Sequence, residues 1–278
     1  MKGGLAVPLA TYTIGPPTHP HIVHDNGFLD KFAHRAPTSE DYARLVKALA
    51  LLEGAEAVQN VPFVPHNHLG DALGAYRHFL FGHGTDRTFS YERYVANDDS
   101  GKTTLANAIK DAQAGAIELF RNGAVALLSS PPSSGFPQTP VFYQITGTAL
   151  AASTRSPYFP YPDTENWQKA IGAHNFWISA NVLAEGLGPM YQFSMDFTVH
   201  AEDRYNFNPG AADIATGIPD EMNGVLEVTG LAQQYMNYSE LQRYVTWTGL
   251  GVGKYDASPS SGDRVRQPSD NRRLRNRT

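Results

Sequence analysis

The chain of 278 residues contains no cysteine. Disulfides, thiolate metal sites and a cysteine nucleophile are thereby excluded, while the redox compartment stays open, since such a chain suits an oxidising space as well as the cytosol. There is also no run of about 18 apolar residues, the length that a membrane-crossing helix needs, so no segment reads as a span. The N-terminal stretch has one lysine and a short apolar patch broken by Pro8, Pro16 and Pro17, which makes a poor signal peptide. No basic stripe with interleaved aromatics occurs, and a nucleic-acid binder is not expected. What is present, 41% apolar and 18% charged residues, is the composition of a globular protein. The net charge of -5 is uneven: residues 261–278 hold six Arg and two Asp, which leaves the rest of the chain strongly acidic.

Residues 1–37 are rich in Pro, Gly and His without a sustained period, and an extended arm is expected. His19, His21, His24 and His34 have no helical or hairpin spacing that would gather three as metal ligands, so the arm is expected to be flexible. Residues 38–128 read as helical. Thr38 with Asp41, or Ser39, caps a helix in which Tyr42, Leu45, Val46, Leu49 and Leu52 recur at three-to-four spacing and which Gly54 ends. Further helices are expected from about Leu69 to Leu80 and from about Thr103 to Arg121. Ser100-Gly101-Lys102-Thr103 imitates the end of a phosphate-binding loop, but Ala96 stands where that loop needs glycine, and the reading is rejected. His66, His68 and Asp71, in and just after a Pro-flanked connector, make a weak metal pattern.

Residues 129–140 form a Pro/Ser-rich linker by composition, and from there to residue 252 the period becomes two. Strands are expected from Val141 to Leu150, His174 to Leu183, Met190 to His200 and Arg243 to Thr248, with a long ordered loop up to Ile171 and a short helix within Leu226 to Tyr235. Residues 253–278 are expected as a disordered, Arg-rich tail. The fold expected is α+β, a helical N-terminal half followed by an antiparallel, partly closed, β-barrel-like sheet.

Phe197 to Ile214 holds the densest chemistry. It leaves a strand at the turn-forming Asn208-Pro209-Gly210 after crowding His200, Glu202, Asp203, Arg204, Tyr205 and Asn206 together. Alternation puts Asp203 and Tyr205 on one face, and Glu202, Arg204 and Asn206 on the other. An Asp, Tyr pair can hold a hydrated metal or a phosphate-like group; equally, Asp203 can cap the turn while Arg204 pairs with Glu202.

Two stretches resemble the colicin M family of bacteriocins. Tyr76 to Tyr91, YRHFLFGHGTDRTFSY, is similar to the family's aromatic, His-rich helix end followed by aromatic-Gly-x-Gly-x-acid-Arg. Glu202 to Asn208, EDRYNFN, is similar to the signature Asp-x-Tyr-Asp-Phe-Asn of its active site. Weaker echoes lie at Tyr143 to Gly147 and Leu231 to Tyr235, so the resemblance spans roughly residues 70–250 with gaps. It implies a secreted or delivered antibacterial toxin that acts in the periplasm of a target bacterium. There such a toxin cuts lipid II, or a related polyprenyl pyrophosphate, between lipid and pyrophosphate, with a divalent cation, Mg²⁺ or Ca²⁺. It further implies peripheral rather than transmembrane membrane contact and an immunity protein in the producer.

Carried over, the catalytic candidates are Asp203, Tyr205, Asn206 and Asp213, with Arg204 and His200 on substrate. Asn206 replaces the family's second aspartate, and Ala212 and Asp213 occupy the places of its His-Arg pair. A cation held by Asp203, Asp213, Asp220 or Glu221 is then expected to supply the lost positive charge. Two other readings stay open: a binding or delivery protein without catalysis, and a hydrolase acting on a different envelope substrate.

Overall fold

The computed structural model describes residues 7–59, 61–63, 68–121, 140–186, 191–212 and 219–260. Among them are the helices α1 (Phe28–Lys31), α2 (Ser39–Val58), α3 (Gly70–Phe81), α4 (Tyr91–Asn97), α5 (Asp99–Arg121), α6 (Glu165–Ala170) and α7 (Glu221–Val228). The strands are β1 (Tyr12–Ile14), β2 (Arg87–Thr88), β3 (Val141–Gly147), β4 (Leu150–Ala152), β5 (His174–Glu185), β6 (Gln192–Tyr205), β7 (Tyr235–Thr248) and β8 (Asp256–Pro259).

Thr38 and Asp41 cap α2 reciprocally, the Asp41 carboxylate accepting the Thr38 N–H at 2.8 Å. Arg35 and Arg44 converge on the same carboxylate, and the hydrogen bonds from Arg35 and then Thr38 hold its pKa below the ordinary range. The helix does not stop at Gly54 as expected but continues to Val58. Ala55 and Ala57 carry good helix propensity past the glycine, and Glu56 is tied to Arg77 of α3. Its buried stripe centres on Ala48 and Leu52, whereas Tyr42 and Val46, expected on the core face, are exposed. In α5 the Ser-Gly-Lys-Thr stretch lies inside the first turns. A Cβ on Gly101 would come within 2.8 Å of the Tyr94 carbonyl, so that glycine serves the close crossing of α4 and α5.

The strands form one mixed sheet in the order β1-β3-β5-β6-β7-β2, with β4 added to β5 and β8 to β7. The expected partial barrel is corrected: β1 and β2 lie at opposite ends of this order and do not pair, so the sheet is open. β6 extends beyond His200 to Tyr205, and β7 starts at Tyr235, eight residues before the strand expected at Arg243. The short helix expected within 226–235 is α7, placed earlier, at Glu221–Val228. Other differences are α6, inside the segment expected as loop, and β1 and α1, inside the segment expected as an arm. β8 pairs with β7 at the start of the stretch expected as a disordered tail. Residues 261–278 and all but Pro140 of the expected linker lie outside the described residues.

Two apolar clusters result. The larger packs α4 and α5 against the sheet, with Phe193, Met195, Phe197 and Val199 supplied by β6. The smaller places α2, α3 and α7 over the far ends of β6 and β7, around Phe79, Leu226 and Tyr235. It encloses the segment that carries the motif. No helix among the described residues is long and apolar enough to cross a membrane.

Candidate active site

The side chains of β6 alternate between two environments. Odd-numbered residues face the helices: Phe197, Val199 and Ala201 are buried in the larger core, and Tyr205 joins the smaller one. Asp203 lies between them in this phase. It sits opposite Asn237 of β7, which in turn sits opposite Arg87 of β2. Arg87, Asn237 and Asp203 thus occupy one row across three neighbouring strands. The next inward-facing pair toward the sheet end is Tyr205 and Tyr235, whose rings stack at 5.1 Å with 12° between planes.

Strand ends position this row, and helices desolvate it. Burial, and after it the charge of Asp25, raises the Asp203 pKa well above the usual carboxylate range; Arg204 offsets this in part. Tyr205 is likewise pushed up by burial, then by the phenols Tyr235 and Tyr76, with the Arg87 charge opposing. Tyr76 donates to Asn223 at 2.7 Å and Tyr235 to the Ala75 carbonyl at 2.9 Å. Arg87 donates from Nη1 to Asn237 Oδ1 at 3.3 Å. Asn237 is completely buried, and its amide donates to the Ala170 carbonyl at 3.3 Å.

Beside the row, the segment before α1 lies against the turn that follows β6. Asn206 donates its amide to the Asp25 carbonyl at 3.0 Å and also bonds the Asp25 carboxylate. The Phe28 N–H donates to the Phe207 carbonyl at 3.2 Å. Asp220 and Glu221, at the start of α7, accept from the backbone N–H groups of Asn208 and Gly210, both at 3.1 Å. They brace the loop beyond the strand. Glu227 on α7 is 2% exposed, with neither carboxylate oxygen hydrogen-bonded. Its pKa is raised to about 8 by burial and by the charges of Asp220 and Asp25. The Phe207 backbone N–H, short of hydrogen-bond geometry, offsets that only in part.

The even-numbered face differs. His200 stacks on Trp177 at 3.8 Å, with its Nε2 2.8 Å from Ser179 Oγ and its Nδ1 2.9 Å from Glu240 Oε1. Burial holds its pKa below the ordinary value, against the pull of Glu240. Glu202, 4% exposed, is gripped from the N-terminal segment by His19 Nε2 at 2.6 Å and His24 Nε2 at 2.8 Å. A cavity of about 470 Å³ opens on this face, lined by His19, Trp177, His200, Glu202, Tyr238 and Glu240 among others. Arg204 shares this phase; its buried Nε has no partner, and its charge bears on Asp30 and Tyr238.

The structure therefore brings together Asp203 and Tyr205, with Asn206 and Arg204 at their edge. It separates them from His200, which belongs to the opposite face. Asp220 and Glu221 are spent on loop N–H groups, and Asp213 lies outside the described residues. Among the described residues no three His, Asp or Glu side chains are placed to hold a metal ion, and Asp213 of the expected ligand set lies outside them. His66 also lies outside the described residues, and Asp71 pairs with Arg93. Arg87, Asn237 and Glu227 were not among the sequence candidates. Asn237 and Ser239 on the inward phase of β7, and Glu227 between Leu226 and Val228, are polar residues in apolar positions, a signal that could have found them.

One solved structure to which the chain is similar is PaeM, a colicin M-like bacteriocin produced by Pseudomonas aeruginosa. The two share 17% identity and a TM-score of 0.31, over 69% of this chain and 52% of that one. The chain thus spans about half the length of PaeM. No family model and no curated protein sequence matches it.

Proposed function

We propose that this protein is a colicin M-like antibacterial toxin that hydrolyses lipid II, or a related polyprenyl diphosphate, between the lipid and the pyrophosphate. One observation carries the proposal: the two separated stretches that resemble that family meet in space, Arg87 of the first and Asp203 of the second lying in one row across β2, β7 and β6. A cation, a desolvated carboxyl and two phenols then face one small region. Such a set suits a reaction in which a negatively charged group is held while a proton is moved at an ester oxygen.

In the proposed reaction, water adds to the phosphorus nearer the lipid and the phosphorus–oxygen bond to the polyprenol breaks. Asp203, whose carboxyl burial makes a weaker acid than usual, donates its proton to the departing lipid oxygen, and the proton released by the attacking water restores the carboxyl. Tyr205, braced by Tyr235, walls the site and shields Asp203 from bulk solvent. The steps above use this chain's own residues, and the chelator condition below tests whether a divalent cation takes part. The proposal places the activity in the periplasm of a target cell, with an immunity protein as the producer's safeguard.

The test is purified protein incubated with labelled lipid II under three conditions: Mg²⁺, Ca²⁺ and chelator. Release of the pyrophosphorylated sugar peptide, lost in Asp203→Asn while the variant still melts cooperatively, is the expected result. Intact lipid II under all three conditions would reject the proposal.

A further inference from the structure

We infer that Arg87 is the seat of the substrate's diphosphate, held in place by Asn237 and given room by Gly74; this rests on the phosphoester reading above. Arg35, Arg44, Arg77, Arg93 and Arg243 each sit on a carboxylate. Arg87 is half-buried, and among the described residues its side chain meets the neutral amide of Asn237 and the Tyr235 phenol and is not paired with an acid. A desolvated guanidinium without a counter-ion costs free energy that an anion would return. Its flat fork of donors matches two oxygens of one phosphate, or one oxygen from each of two.

Two further features fix the guanidinium where a ligand would need it. Asn237 holds Nη1 from within the sheet, and that amide is itself anchored on Ala170, so the fork is pre-oriented. On the other side lies Gly74, in the middle of α3, where glycine is disfavoured relative to alanine. A Cβ there would come 3.2 Å from Arg87 Nη2, so the glycine leaves space that the guanidinium occupies. Two strand spacings, about 9.6 Å between backbones, separate Arg87 from Asp203. A phosphate on Arg87 would then lie on the same face of the sheet as Asp203, with Asn237 between them.

The probe is inorganic pyrophosphate, titrated calorimetrically against the full chain, in parallel with lipid II kinetics. Arg87→Ala is expected to weaken pyrophosphate binding roughly tenfold to a hundredfold, the scale of a charged hydrogen-bonding pair. It should also raise KM for lipid II, with a smaller fall in kcat, since the interaction exists before the transition state. Arg87→Lys keeps the charge but not the fork and should recover only part of the affinity. Gly74→Ala should weaken binding with no change of charge, an effect that a merely structural arginine would not show. Wild-type affinity for pyrophosphate in a folded Arg87→Ala or Gly74→Ala variant overturns the assignment. Should Arg87→Ala fail to fold, Arg87→Lys and Gly74→Ala decide by the same measure. If lipid II is cut with unchanged KM in Arg87→Ala, the seat is wrong and the hydrolase stands. If pyrophosphate binding depends on Arg87 but lipid II stays intact, the seat stands and the hydrolase falls.

Discussion

The two faces of β6 near its end carry similar residue types in opposite conditions. On the outer face Glu202 is buried but accepts from two imidazoles, and His200 is bonded through both ring nitrogens. On the inner side burial raises the pKa of Asp203, Arg87 has an amide and a phenol but no acid, and Glu227 has no hydrogen bond among the described residues. A satisfied polar network stabilises the fold and asks for no ligand, whereas unsatisfied groups lower stability and are retained where chemistry needs them. The outer cavity is the more obvious concavity, yet its Ser179-His200-Glu240 relay is a poor nucleophile site. Ser179 is 4% exposed, and its strand is paired on both sides with β3 and β6, which commits the N–H groups that an oxyanion would need.

Neighbouring substitutions on the two faces separate these conditions most sharply. Asp203→Asn should cut lipid II turnover by about 10²–10⁴-fold, the usual worth of a general acid, while the variant melts at or above the wild-type temperature near pH 8, having lost a buried acid. Glu202→Gln should do the reverse, losing stability with turnover within a fewfold of wild type. Calorimetry and a lipid II assay on the pair check both, and an Asp203→Asn that unfolds while Glu202→Gln is inactive would invert the assignment of faces.

The second contrast is in pH. Glu227 has a folded pKa raised from 4.5 to about 8, so both states are protonated at low pH and the full contribution is present there. As pH rises, the unfolded chain ionises first, and stability falls progressively until the folded carboxyl ionises near 8. Denaturant titrations at pH 5 and pH 8.5 should differ by an amount on the order of 3 kcal/mol from this group, and Glu227→Gln should flatten that slope. A slope unchanged in the variant would mean that another acid, Asp203 first, carries it.

Much of this was legible along the chain because it depends on local pattern. The alternation from Tyr191 to Val199 marks β6, the Thr38–Asp41 box marks α2, and the spacing of Asp203 and Tyr205 puts them on one face. What failed was whatever depends on partners far away in sequence. Arg87 enters the site through a two-residue parallel strand with no pattern of its own, and 150 residues separate it from Asn237. His19 and His24 read as part of a flexible Pro-rich arm until Glu202 appears between them, with sequence separations of 183 and 178. The barrel was expected because two-faced alternation does not say whether a sheet closes; only the pairing order does.

Smaller effects probe the outer network itself. Replacing His19 and His24 together with alanine leaves Glu202 buried without a donor and should cost about 1–3 kcal/mol, the penalty of an unsatisfied buried group. Denaturant midpoints would show it, and the loss should shrink when Glu202→Leu is added, because no carboxylate then remains to satisfy. Ser179→Ala removes a single hydrogen bond to His200 and should cost only about 1 kcal/mol. Lipid II turnover in that variant decides whether the relay is structural. Activity within twofold of wild type keeps the chemistry on the inner row, whereas a hundredfold loss would move it through the sheet to the face on which Trp177 carries His200.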